Sequence, residues 1–210
     1  MTQKERQEHS RQEILRAALE EFGRRDYDAV NMEQICKNHG ISKGMMYHYY
    51  SGKDELFLLC VRDTFERLTA HVEAGMAQLG EGDALGSIQR FFLLRESYFQ
   101  DHPERKRIFE NAMLRPPAHL REEIWRLWEP LRRMNRAFLE RMVRTMPLRP
   151  GLEPERVIRY LESTEASFRS LLLHYQEERE GQDLHTVLGV GAEMLDLILF
   201  GVLRQSADQV

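Results

Sequence analysis

The chain has 210 residues, a formal net charge of −4 and a hydrophobic fraction of 42%, values typical of a folded protein with a hydrophobic core. Its two cysteines, Cys36 and Cys60, are too few and too far apart to indicate a disulfide framework, which fits a reducing cytoplasm. The N-terminal residues are polar, and no segment approaches the roughly 20 apolar residues needed to cross a bilayer. We therefore expect a cytoplasmic protein without a membrane-spanning segment.

The first predicted element is a helix with one apolar stripe. Apolar residues recur at helical spacing between Ile14 and Phe22, and Gly23 marks the expected end of the helix. Every other long periodic segment of the chain also has helical spacing, and none alternates with a period of two. The sequence therefore predicts an all-α fold.

Two short helices separated by a tight turn are predicted next. Asn31 is placed to cap the first of them, with Gln34 three residues later as in a capping box. Gly40 supplies the turn, because glycine adopts a positive φ without steric cost. Ser42 can cap the second helix. This is the pattern of a helix-turn-helix, whose second helix can enter the DNA major groove.

The third helix of this region is predicted to begin at Ser51, with Asp54 as the partner in a second capping box. Lys53 is unexpected in the first turn of a helix, because a cation there opposes the helix dipole. An anion beside the helix N-terminus would explain it, and a DNA phosphate is such an anion. Residues 1–53 carry nine basic and eight acidic side chains, a net charge of +1, and no acid lies between Gln34 and Lys53. This segment suits a surface that faces phosphates.

Two segments resemble the DNA-binding domain of the tetracycline-repressor (TetR) family of bacterial transcriptional regulators. Residues 41–57, from the turn through Lys-Gly, a tyrosine, an aromatic pair and Lys-Asp-Glu-Leu, are similar to the family hallmark, and residues 14–22 are similar to its first helix. Asp26 stands where the family usually has glycine, and we expect it to preserve the turn by adopting a left-handed conformation. Met45 stands where a threonine is common, which changes the details of base recognition.

The resemblance implies three helices that form a DNA-binding domain, joined to a larger helical bundle. We place the helix-turn-helix domain at residues 1–53 and a ligand-sensing and dimerisation domain at residues 54–210. Lys43, Lys53 and the Tyr47 hydroxyl are expected to bind the DNA backbone. Met46 and Tyr50 are expected to face the core. The predicted DNA-binding residues are Asn31, Ser42, Lys43, Gly44, Met45, Tyr47, His48, Tyr49 and Lys53.

Six helices are predicted for the rest of the chain, including the one that begins at Ser51. The helix from Ser51 should run to the break at residues 80–82, and the next should stop before Pro103. A shorter helix begins at Pro103, and a long helix from about residue 120 contains Pro130, which should kink it. Two final helices are predicted at about 155–178 and 184–204.

Aromatic and polar residues of the middle helices are candidates for a small-molecule site. An ordinary bundle core would explain the aromatic residues equally well. The resemblance implies a pocket for a small-molecule effector. Because the middle helices are rich in apolar side chains, we expect the effector to be largely apolar. The candidate ligand-binding residues are Phe91, Phe92, Arg95, Tyr98, Phe109, Met113, Trp125, Trp128, Glu165 and Phe168.

The last predicted helix is apolar on most sides, and such a helix must be buried on several sides. A partner subunit packed against the last two helices would explain this, and a central position in the monomer core is the alternative. We predict a homodimer with the interface residues Phe168, Leu172, Tyr175, Leu195, Ile198, Leu199 and Val202.

Motifs for enzymatic chemistry are missing from the sequence: it contains no phosphate-binding glycine loop, no His-Glu-x-x-His and no Cys-x-x-Cys. We therefore predict a non-enzyme with no catalytic residues, no metal and no cofactor. The favoured function is a ligand-responsive repressor that binds operator DNA as a homodimer. The alternatives are a DNA-binding regulator without a small-molecule inducer, and a helical enzyme with a vestigial helix-turn-helix.

Overall fold

A computed structural model describes residues 2–163 and 197–202 of the chain. The regular elements in this part of the chain are helices, which confirms the predicted all-α fold. Short 3-10 helices lie at Tyr27–Ala29, Glu81–Asp83 and Ala118–Leu120, and further helical residues lie at 154–163 and 197–202. The longer helices are α1 Gln3–Arg24, α2 Met32–His39, α3 Lys43–Tyr49, α4 Lys53–Met76, α5 Ala84–Asp101, α6 Pro103–Met113 and α7 Arg121–Arg144.

Helix α1 begins well before its apolar stripe, because a capping box defines its start. The Thr2 side chain accepts a hydrogen bond from the backbone N–H of Glu5 at 3.2 Å, and the Glu5 carboxylate accepts one from the backbone N–H of Thr2 at 2.7 Å. Each partner satisfies a donor that the helix itself leaves unpaired. The first turns of α1 are therefore helical although they are polar on all sides.

The packing divides the chain into two compact units. The first comprises Met1–Ala70 and Ser97–Glu129, and the second comprises His71–Glu96 and Pro130–Val210. Helices α4, α5 and α7 therefore each contribute residues to both units, and α7 continues through Pro130. The boundary predicted at residue 53 separates two functions and not two packing units, and it stays a prediction.

Within the first unit, α6 packs closely on α1. A Cβ atom at Gly23 would lie 2.6 Å from the Cβ atom of Glu104, so only glycine allows this approach. Arg107 pairs with Asp26 at 3.1 Å, and the Asn111 amide donates to the carbonyl of Arg25 at 3.3 Å. These contacts hold the segment between α1 and α2 from the side of α6.

Asp26 does not adopt the left-handed conformation that we expected at this position. Its φ is −67° and its ψ is 154°, an extended conformation that any residue adopts. Its carboxylate instead pairs with Arg107 from α6. The turn therefore needs no special backbone conformation at Asp26.

The core of the second unit brings α5 against α7. Phe91 stacks on Phe138 with ring centroids 4.5 Å apart. Gly75 at the end of α4 contacts Leu94 so closely that an added Cβ would lie 2.3 Å from the leucine Cδ2. The Arg136 guanidinium bonds to Glu155 at 2.6 Å, which connects α7 to residues 154–163. In the described part of the chain, no helix is long and apolar enough to cross a membrane.

Candidate nucleic-acid interface

The turn between α2 and α3 has the predicted geometry. Gly40 adopts φ 67° and ψ 20°, and its backbone N–H donates to the carbonyl of Cys36. The N–H of Ile41 donates to the same carbonyl at 3.0 Å, and the Ile41 side chain is buried. Glycine ends α2 in the left-handed conformation and sets the direction of α3.

Helix α3 is anchored on one side and exposed on the other. The Ser42 hydroxyl accepts a hydrogen bond from the N–H of Met45 at 3.1 Å, which confirms the predicted cap. Met46 and Tyr50 are buried, as expected. Ser42, Lys43, Gly44, Tyr47 and His48 are exposed, and Met45 and Tyr49 are partly exposed. The exposed residues are those for which we predicted DNA contact.

Asn31 and Tyr49, which are both predicted to bind DNA, make local contacts in the free protein. The Asn31 side chain caps α2 by accepting a hydrogen bond from the N–H of Glu33 at 2.8 Å. Gln34 was predicted to complete this capping box, but its amide donates to Asn38 at 2.6 Å instead. Tyr49 lies beside His48 with ring centroids 4.9 Å apart.

Arg11 on α1 was not among the predicted site residues. Its guanidinium carbon lies 5.6 Å from the ring centroid of Tyr49, within cation–π range. The pairing places a cation of α1 beside α3. Sequence spacing does not reveal it, because 38 residues separate the two positions.

The start of α4 differs from the predicted capping box. The helix begins at Lys53, two residues later than expected, and Ser51 bonds to the carboxylate of Glu55 through its N–H at 2.7 Å and its hydroxyl at 2.9 Å. Asp54 was the predicted partner of Ser51. It instead accepts a hydrogen bond from the Tyr27 hydroxyl and lies 2.9 Å from Nε2 of His119.

Lys53 lies within the same cluster. Its Nζ donates to the carbonyl of Tyr27 at 3.1 Å and lies 4.1 Å from the centroid of the Tyr27 ring. These contacts give the lysine a structural role, and its predicted contact with a DNA phosphate stays a prediction. The cluster joins α4 to the segment before α2 and to the segment before α7.

Hydrogen bonding shifts the acidity of this cluster. The Tyr27 hydroxyl, and after it the His119 ring, holds the pKa of Asp54 below its usual range. Burial, together with the bond to Asp54, raises the pKa of Tyr27. Tyr27 is therefore protonated and donates to an ionised Asp54 at neutral pH.

Lys43 has a partner that the sequence did not predict. Its Nζ lies 2.6 Å from a carboxylate oxygen of Glu33, and this hydrogen bond raises the pKa of the lysine. The pair lies at the edge of a cleft of about 440 Å³. The cleft is lined by Arg25, Ala29, Asn31, Glu33, Gln34, Lys37 and Lys43.

The two cysteines are packing residues. Cys36 and Cys60 are both buried, and burial raises the pKa of each thiol. A buried thiol with a raised pKa is a poor nucleophile. Among the described residues no group of three histidine, cysteine, aspartate or glutamate side chains could hold a metal ion.

Five of the ten predicted ligand-binding residues fall into two aromatic clusters, one in each unit. Phe109 and Trp128 pack around Phe65 in the first unit, with Tyr98 next to Phe99. Phe92 packs on Phe91 in the second unit.

The other candidate ligand-binding residues differ in exposure. Trp125 is 54% exposed and does not belong to a core, whereas Arg95 and Met113 are partly exposed. Glu165 and Phe168 lie outside the described residues.

The predicted dimer residues are only partly described. Phe168, Leu172, Tyr175 and Leu195 lie outside the described residues. Ile198 is partly exposed, whereas Leu199 and Val202 are buried within the chain itself. The exposed apolar side chains of this segment are instead Leu197, at 71%, and Phe200, at 58%.

The fold and the exposed α3 define a helix-turn-helix protein with a further helical part, and parts of the chain are similar to known bacterial regulators. A model of bacterial regulatory proteins of the tetR family matches residues 14–60. The regulator RutR of Escherichia coli K12 is 26% identical over 111 residues, which cover 53% of this chain and 51% of RutR. YxaF of Bacillus subtilis is 31% identical over 124 residues, which cover 59% and 60% of the two chains.

Solved structures share the fold over most of the chain. The ketosteroid regulator KstR2 of Mycobacterium tuberculosis has a TM-score of 0.61 at 22% identity, covering 93% of this chain and 95% of its own. FadR of Bacillus subtilis, in complex with stearoyl-CoA, has a TM-score of 0.69 at 13% identity, covering 90% and 98%. Residues 14–60 thus match the tetR family of bacterial regulatory proteins, and the chain spans about half the length of RutR.

Proposed function

We propose that this protein is a transcriptional regulator that binds operator DNA through α3. The observation that carries the proposal is the two-sided character of α3: Met46 and Tyr50 hold one side in the core, and Lys43, Gly44 and Tyr47 are exposed on the other. A rigidly anchored helix with an exposed polar face meets the requirement for a recognition helix in the major groove. Repression by occlusion of a promoter is the favoured mode of action.

Tyr47 supplies the chemistry for backbone contacts. Phosphate contacts position a protein on DNA and dominate its affinity, whereas contacts with base edges determine the sequence. Tyr47 presents a hydroxyl with half of the side chain exposed. Met45 offers only apolar contact, for which a thymine methyl is the matching group.

The test is binding to the DNA upstream of the protein's own gene and its neighbours, followed by fluorescence anisotropy of labelled duplexes. The wild type should bind one of these duplexes far more tightly than a shuffled duplex of the same composition. A Tyr47→Phe variant should weaken binding to the specific and the shuffled duplex alike. Equal affinity of the wild type for all duplexes would contradict a sequence-specific regulator.

The proposed assembly is a homodimer. Leu197 and Phe200 are large apolar residues exposed on the helical segment 197–202. A twofold partner would cover such side chains with the same surface of its own, which is the usual geometry of a homodimer. Two recognition helices about 34–36 Å apart would then match successive major grooves of a palindromic site.

A small apolar effector is the proposed signal. The second unit contains a groove of about 350 Å³, within the usual range of about 300–1,000 Å³ for small-molecule sites. It combines apolar side chains with one acid and one base. Its lining residues are Glu73, Met76, Ala77, Met134, Ala137, Phe138 and Arg141.

None of these lining residues is among the candidate ligand-binding residues named above, because the groove is formed by methionine and alanine more than by aromatic side chains. The complex of the related FadR fold with stearoyl-CoA supports a ligand with a long apolar part. A hundredfold loss of operator affinity requires about 2.7 kcal/mol of coupling between the two sites.

The effector is tested by adding fatty acids, acyl-CoA thioesters and steroids to the operator complex. An effector should release the DNA, and Ala137→Phe, which adds a ring to the groove, should abolish the release while preserving DNA binding. If no compound releases the DNA, a regulator without a small-molecule inducer is favoured. Turnover of a substrate by a preparation that ignores DNA would favour the enzyme alternative.

A further inference from the structure

Glu33 and Lys43 form an ion pair at the junction of the two helices of the helix-turn-helix. Glu33 belongs to the first turn of α2, and Lys43 is the first residue of α3. Their charged atoms lie 2.6 Å apart, with the side chains 63% and 60% exposed. The acid lies one residue before the acid-free segment noted in the sequence, and the fold brings it to the edge of the exposed face of α3.

Stability does not explain this pair. Exposed ion pairs contribute little to folding, because water screens them and the two long side chains lose rotamer freedom. A carboxylate beside a DNA-binding surface also repels phosphates, which weakens binding to every sequence. Glu33 therefore weakens DNA binding in general, and a role in recognising a particular base pair would offset this loss of affinity.

The geometry of the pair matches one base-pair edge. In the major groove guanine presents two acceptors, N7 and O6, and its partner cytosine presents an adjacent donor at N4. An ammonium group with a carboxylate directly beside it presents the complementary donors and acceptor. At A·T the lysine can donate to adenine N7 and the carboxylate can accept from adenine N6, which makes two hydrogen bonds. At G·C the ammonium group can donate to both N7 and O6 while the carboxylate accepts from cytosine N4, so the pair favours G·C over A·T by one hydrogen bond.

We propose that Glu33 and Lys43 act together as the specificity determinant for one G·C base pair in each operator half-site. Lys43 donates to guanine O6 and N7, and Glu33 accepts a hydrogen bond from cytosine N4. Glu33 also lowers the affinity for non-specific DNA, because its charge opposes the phosphates. The inference rests on the proposed DNA-binding function, adds Glu33 to the predicted contact residues, and assigns Lys43 to a base and not to the DNA backbone.

The test is a base-by-base scan of the operator. Duplexes are selected from a random pool with the wild-type protein, and each half-site position is then replaced by the other three base pairs. Glu33→Gln removes the charge and keeps the size of the side chain, and Lys43→Gln removes the other partner. Glu66→Gln is the matched control, because Glu66 is an exposed acid on α4 outside the helix-turn-helix.

For the wild type, one G·C position in each half-site should lose about five- to a hundredfold in affinity when it is changed to A·T. Glu33→Gln should bind shuffled DNA more tightly and discriminate less at that position, because a neutral amide oxygen accepts from cytosine N4 more weakly than a carboxylate does, with the other positions unchanged. Lys43→Gln should lose the same discrimination. Glu66→Gln should keep the wild-type pattern.

Two results would overturn the inference. If both variants at the pair keep the wild-type preference at every position, Glu33 and Lys43 do not recognise a base pair, while DNA binding by the protein stands. If the wild type selects no sequence from the pool, the proposed function itself fails. Melting temperatures close to that of the wild type should confirm that both variants are folded, since both side chains are exposed.

Discussion

Replacing Gly44 by alanine separates the stability of α3 from its function. Gly44 is the second residue of α3, and a Cβ atom added there would meet nothing within 4 Å. The free protein therefore has room for the methyl group. Alanine has a higher helix propensity than glycine, because it restricts the unfolded chain, and we expect a gain of about 0.5–1 kcal/mol in the free energy of unfolding. For a chain of this length, 1 kcal/mol raises Tm by roughly 2–4 °C.

DNA binding should change in the opposite direction. If the backbone at Gly44 approaches the groove closely, the methyl group occupies space that the DNA needs. Inserting a methyl group into a close-packed contact costs about 1–3 kcal/mol, which corresponds to an affinity loss of about five- to 150-fold. The variant should therefore be more stable and bind more weakly.

The assays are thermal melting of the free protein and anisotropy titration of the operator duplex. Gly80→Ala is the control, since an added Cβ at Gly80 also meets nothing within 4 Å and its φ of −88° suits alanine. The control should bind operator DNA like the wild type. A Gly44→Ala protein that is stabilised and binds with wild-type affinity would refute close approach of DNA at this residue.

Three further predictions follow from contacts elsewhere in the chain. Lys53→Ala should lower Tm, because Nζ bonds to the Tyr27 carbonyl and lies over the Tyr27 ring. If the lysine also contacts a phosphate, the substitution should lower the salt slope of DNA binding by about 1. A lower Tm with an unchanged salt slope would assign Lys53 to the fold alone. Asp54→Asn should destabilise the protein near neutral pH, because the Tyr27 hydroxyl and His119 lower the pKa of Asp54. A group with a lowered folded pKa contributes stability above its unfolded pKa of about 4 and loses it as the pH falls through the folded value, so the difference in unfolding free energy from the wild type should shrink below about pH 4. A difference that does not depend on pH would contradict this role. Phe200→Glu should give monomers in analytical ultracentrifugation, because the substitution would bury a charge at the proposed interface. A wild-type protein that is itself monomeric at micromolar concentration would rule that interface out.

The sequence alone determined the helix-turn-helix, because its geometry depends on residues close together along the chain. A glycine at position 40 allows the left-handed turn, and the side chains of Asn31 and Ser42 bond to backbone groups two or three residues away. The alternation of buried and exposed residues on α3 follows from helical periodicity in the same way. These features can be predicted without knowing how the helices pack.

The partners of charged side chains were decided by the tertiary structure. Asp54 was predicted to complete a local capping box, but Tyr27 and His119 compete for it from distant parts of the chain. The same is true of Glu33, which the fold brings to Lys43 across the turn. A carboxylate on a surface has several possible local partners, and only the packing of the helices determines which donor comes within reach.

Where a helix is apolar on most sides, the tertiary structure also determines which of its apolar side chains are buried. Periodicity cannot distinguish the faces of such a helix, so the sequence could not separate Leu199 and Val202, which are buried in the chain itself, from Leu197 and Phe200, which are exposed. The aromatic residues show the same limit, because hydrophobicity places them in a core without saying which core. The sequence thus determined the elements and their local caps, and the packing determined which side chains meet, since those contacts join residues far apart along the chain.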